Sequence, residues 1–102
     1  MRRFTLNIGK VIGTLVATKK DDSLVGSKLM VTQPLDIDYK PLGEPIIMVD
    51  TVGAGIGEVV IFSEGTASRN AAGKPDSAID AAIVGIVDNL DVYKDVLETL
   101  ET

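Results

Sequence analysis

Residues 52–58, Val-Gly-Ala-Gly-Ile-Gly-Glu, are the stretch of this 102-residue chain most open to a chemical reading. Glycine-rich loops leave backbone N–H groups free to cradle phosphate. A dinucleotide fingerprint needs glycines at spacing two and then three, opening a helix. Here the glycines are Gly53, Gly55 and Gly57, Glu58 fills the slot of the third, and a strand-like run follows. A P-loop ends in Gly-Lys-Ser/Thr, and that ending is missing here. The spacing points instead to a tight inter-strand connection with positive φ angles and close backbone approach. Gly53, Ala54, Gly55, Gly57 and Glu58 would then let backbones from several subunits crowd a symmetry axis. On that reading a branched side chain at Gly55 is less tolerable than one at Gly43.

The remaining chemistry is sparse. The chain has no cysteine, histidine or tryptophan, so thiol and imidazole catalysis are impossible and zinc loses its usual ligands. Asp36-Ile37-Asp38-Tyr39-Lys40 opens like a calcium loop, but Lys40 takes the third ligand position and no glycine follows it. It reads as a solvated hairpin turn. The 15 acidic residues show no constellation of a catalytic dyad. Asp50, Asp80 and Asp88 each border an apolar run, where a carboxylate often accepts backbone or inter-subunit hydrogen bonds. Arg69, the sole arginine beyond Arg2 and Arg3, sits among small residues. It is either a surface charge or a bidentate contact to another subunit. No metal or cofactor is expected.

The elements that must position these residues are short. β-branched runs at 8–18, 28–33, 46–50, 58–62 and 81–88 alternate with turn residues, the pattern of a compact all-β domain. Residues 34–45 read as a loop, and 68–72 as a possible helical turn. Both faces of 8–18 are apolar, which predicts a core on one side and a neighbour on the other. Gly9 and Gly13 are where a strongly bent barrel strand would relax. Val92, Val96 and Leu100, with Tyr93 and Leu97, recur at helical spacing, with Asp91 as N-cap. That short helix needs a surface to dock on. The expected fold is mainly β: a five-stranded OB-like barrel with one or two short helices, in one domain spanning 1–102.

Net charge is −5 and 45% of the residues are hydrophobic. The charge has the wrong sign for binding phosphate backbones, and no apolar run can span a bilayer. Met1-Arg2-Arg3-Phe4 is not expected to begin an export signal, because Asn7, Gly9 and Lys10 break the stretch that should follow. A cytoplasmic protein that hides apolar surface against copies of itself is expected. Two other classes are weighed. An OB-fold module for single-stranded nucleic acid or oligosaccharide needs stacking aromatics and basic residues, and only Phe4, Tyr39, Phe62 and Tyr93 are present. A small enzyme has only carboxylates, lysines and hydroxyls to work with.

Three stretches in this order resemble the microcompartment vertex family of carboxysomes and ethanolamine-utilisation compartments, the EutN/CcmL family. The first is 11–20, followed by Leu24, Gly26 and 28–31. The second is 49–60, followed by 65–69. The third is 79–88. The family often has an aromatic residue where this chain has Val59, and its usual Gly-Ser-Ser-Ala-Arg stands here as Gly-Thr-Ala-Ser-Arg. The resemblance implies a non-catalytic OB-like subunit that forms a cyclic pentamer with a narrow central opening at most. It implies partnership with hexameric shell proteins at the five-fold vertices of a microcompartment shell, since a flat hexagonal sheet cannot close without pentagonal units. No family role is carried onto residues 91–102.

Overall fold

The computed structural model describes residues 6–16, 28–65, 68, 71–72 and 80–101. Five strands form a closed barrel in the order β1-β2-β3-β5-β4, with β4 returning to β1. They are β1 Leu6–Leu15, β2 Lys28–Leu35, β3 Ile46–Asp50, β4 Val59–Glu64 and β5 Ala81–Ile86. All neighbouring pairs are antiparallel except β3 and β5, which run parallel through Val49↔Ala82 and Asp50↔Ile83. This is the expected OB-like barrel, with one helix, α1 Lys94–Glu101, after the last strand.

Period-two alternation builds the core. Val11, Met30, Met48, Val60, Phe62, Ala81 and Ile83 point inward and pack together with Ala54 from the glycine-rich loop. Leu29 and Val49, on the opposite pleat, pack with Ala72 outside the barrel. Ala72 belongs to the expected helical turn, where its N–H donates to the Ser68 carbonyl. Leu29 and Val49 thus have a partner on the outer face, while Ile47 on the same face of β3 stays exposed.

Closure leaves little room between β1 and β2. A Cβ on Gly9 would stand 2.7 Å from Thr32 Cγ2, 3.0 Å from the Gln33 carbonyl oxygen and 3.1 Å from Phe62 Cε1. Gly9 is therefore dictated by space. At Gly13 a bulge does the bending: Val11 pairs with Thr32 and Gly13 with Val31, leaving Ile12 as the extra residue. Gly13 and Leu15 thus do not simply continue the inward face begun at Val11, as strict alternation predicts.

β2 also runs two residues further than expected and takes in Pro34. Pairing with β3 has already ended at Thr32↔Ile46, while Pro34 still pairs with Gly9. The Pro34 carbonyl faces away from β1 and accepts from Leu42 N–H, so its missing N–H falls on the side without a strand.

Thr32 is fully buried and its hydroxyl has no hydrogen-bond partner among the described residues. An unpaired buried hydroxyl opposes folding by about 1–3 kcal/mol. Thr32→Val should accordingly raise stability by about 1 kcal/mol, or roughly 4–8 °C in Tm by thermal denaturation. A lower Tm would mean that the methyl does not fit beside Gly9.

Candidate functional site: the glycine-rich loop and the open half of β1

The connection between β3 and β4 is tied down at both ends. Thr51 donates from its hydroxyl to the Ile83 carbonyl at 2.7 Å, which secures the loop entry to β5. At the exit, Gly57 N–H donates to the Val11 carbonyl at 2.7 Å, and Val11 N–H donates to the Glu58 carbonyl at 3.0 Å. Between these anchors Ala54 is buried and closes the loop end of the barrel. Gly53 and Gly57 have φ of 79° and 88°, which only glycine adopts without strain.

Two carboxylates shape the rest. Asp50 Oδ1 accepts from the N–H groups of Val52 and Gly53, both at 3.0 Å, and Oδ2 accepts from Ala54 N–H at 2.8 Å. The Asp50 side chain is 1% exposed, with Lys28 Nζ 4.0 Å away. Glu58 Oε1 accepts from Gly55 N–H. The four consecutive amides that might have cradled a phosphate are all engaged by the chain's own carboxylates. Rejection of a nucleotide loop on glycine spacing thus has a structural reason.

Gly43 also has a positive φ, 77°, so it is no neutral reference for Gly55. Gly55 lies outside the positive-φ set, and a Cβ there meets Glu58 Oε1 at 3.2 Å. Its constraint is the carboxylate clamp and not the backbone angle.

Beside this loop, β1 opens. Its pairing with β4 covers Leu6 to Lys10 and passes to the loop at Val11. From Ile12 onward the described ladder continues on the β2 side alone. Ile12 is 50% exposed and Val16 92%, and Leu15, Val52 and Ile56 are exposed as well. The Val11 bonds to Gly57 and Glu58 bring Ile12 and Ile56 to one junction. An unpaired apolar edge of this kind is a template for another chain. The two-sided apolar pattern of β1 thus leaves exposed apolar surface on the half that has parted from β4.

The other described positions singled out by the sequence separate from this site. Arg69 lies outside the described residues. Asp36 Oδ1 accepts from Asp38 and Lys40 N–H, and Tyr39 takes φ 62°, as befits the expected hairpin turn. Lys94 Nζ lies 2.6 Å from Asp38 Oδ1. The Lys94 hydrogen bond and charge hold the Asp38 carboxyl below its ordinary range, so this exposed tie persists at neutral pH and is lost as acid protonates Asp38. Asp91 is not the N-cap: α1 starts later, with Tyr93 accepting from Val96 and Leu97 N–H, and Asp91 instead accepts from Asn89. Nor do the described residues cover the whole apolar stripe of the helix: Val92 and Leu97 are half-buried, but Tyr93, Val96 and Leu100 are exposed.

A closed OB-like barrel with a self-filled glycine loop and an apolar open strand edge defines a small assembly subunit. Residues 6–88 match the family described as ethanolamine utilisation protein EutN/carboxysome, and the chain belongs to that family. It is 52% identical over 84 residues to the microcompartment shell vertex protein GrpN of Rhodospirillum rubrum, covering 82% of this chain and 94% of the relative. It is 39% identical to the shell vertex protein PduN of Salmonella typhimurium, covering 83% and 98%. The solved pentameric GrpN superimposes with a TM-score of 0.78 at 48% identity, over 85% of this chain and 99% of GrpN.

Proposed function

We propose that five copies of this chain form a ring that caps the five-fold vertices of a bacterial microcompartment shell. The observation that carries this reading is the apolar open half of β1 beside the glycine loop, in a family with a solved pentameric member. Its role is geometric: a pentagonal unit supplies the curvature that hexagonal tiles lack, and its flanks meet hexameric shell proteins. The subunit itself does no chemistry. Gly53, Ala54, Gly55, Gly57 and Glu58 lie at the subunit contact or near the axis, and Arg69 reaches a neighbouring subunit through its planar guanidinium. The protein resides in the microcompartment shell in the cytoplasm, and no described helix is long and apolar enough to cross a membrane.

The OB-module alternative has less in its favour. Phe62 is buried in the core, which removes it as a stacking platform, and the net charge is −5. Native mass spectrometry should record five chains per particle. A stable monomer or dimer as the sole species would refute the vertex reading.

A further inference from the structure

We propose that Asp50 is the positioning residue of the assembly surface: the amides of Val52, Gly53 and Ala54 form an anion-binding nest that the Asp50 carboxylate fills from within the chain. This internal ligand presets the loop before subunits meet. The inference rests on the reading of the loop as a subunit contact.

Four features support it. Both carboxylate oxygens of Asp50 are used, and all three of these bonds go to the loop. The side chain is buried, yet its one ion-pair partner among the described residues, Lys28, is only at the limit of an ion pair, at 4.0 Å. Its stabilisation therefore comes chiefly from converging N–H groups, which is how backbone nests hold anions. β3 does not need the carboxylate for its ladder, since pairing with β2 and β5 is made by the backbone. Glu58 repeats the device at the other end through Gly55 N–H. A loop ordered in the free subunit spares association the entropy cost of ordering it.

The test is chemical rescue. Asp50→Ala empties the nest, and a small carboxylate such as formate can enter it. The ring of Asp50→Ala should dissociate at a protein concentration about tenfold or more above that of the unsubstituted chain. Formate should restore most of the loss, and chloride at matched ionic strength should not. Asp50→Asn, which occupies the space but presents an amide, should weaken the ring without responding to formate. Unchanged ring stability in Asp50→Ala, or equal effects of formate and chloride, overturns the proposal. If Asp50→Ala does not fold, Glu58→Ala decides, because Glu58 is exposed and its loss should weaken the ring with the sheet circular dichroism intact. An undiminished ring there overturns the presetting role. If the unsubstituted chain is monomeric, the ring reading has failed. Formate-dependent protection of amides 52–54 from hydrogen exchange in Asp50→Ala then still decides the nest.

Discussion

Gly9→Val is expected to destabilise the fold by about 3 kcal/mol or more, while Gly13→Ala four residues along the same strand is tolerated. The difference is one of space. At Gly9 even the first added carbon falls within 2.7 Å of Thr32 Cγ2 and 3.0 Å of the Gln33 carbonyl. The second neighbour is β2 backbone, which cannot move aside without breaking its pairing with β1. At Gly13 the same carbon finds Val31 at 3.7 Å, an ordinary contact. Overpacking a tight core costs about 1–3 kcal/mol and sometimes more, and valine adds two further methyls. A domain of this size has only about 5–15 kcal/mol to lose. Denaturant titration gives the comparison directly: a shifted midpoint with unchanged slope reports stability alone. Equal midpoints for the two variants would mean that β1 and β2 are not packed as closely as described.

Ile12→Asp should have the largest effect on assembly and little on the fold. Ile12 is the bulged residue of β1, half exposed and without a cross-strand partner, so a charge there remains hydrated in the free subunit. If the open half of β1 is covered by a neighbour, the substitution removes about 1.5–3 kcal/mol of apolar burial. It also forces an unpaired carboxylate out of water, at a cost of several kcal/mol. In a ring of five the loss recurs at every contact. Native mass spectrometry should find monomers, with a circular dichroism spectrum like that of the unsubstituted chain. A persisting five-chain particle would remove the open half of β1 from the interface.

Much of the barrel was legible along the chain because period-two alternation in β-branched runs is a local signal. Runs at 28–33, 46–50 and 81–88 reappear as β2, β3 and β5, with boundaries moved by two residues or fewer. The hairpin at Asp36 was legible for the same reason, since an Asx turn is made within a few residues. Misreadings arose where a partner decides. Pro34 belongs to a strand because its N–H side faces no strand, and nothing local says which side of β2 is vacant. Asp91 precedes a helical repeat as a cap should, but the helix begins later. Its apolar stripe reads as a docking face, yet the described residues do not cover the whole of it.

The order of residues along the chain is enough for the absence of histidine and cysteine chemistry, the acidic charge, the strand runs, the glycine positions at 53 and 57, and the family. These follow from residue type and local spacing, which need no knowledge of what lies across the fold. Long-range packing alone decides that β3 pairs with β5 in parallel, that Ile12 is extruded at a bulge, and that β1 parts from β4 after Lys10. It alone turned Asp50 from one of 15 acidic residues into the buried ligand of three amides. A carboxylate has the same chemistry wherever it stands. Whether it is a solvated charge or a structural anion depends on where backbone donors converge, and that is settled only when the loop crosses the end of the closed barrel.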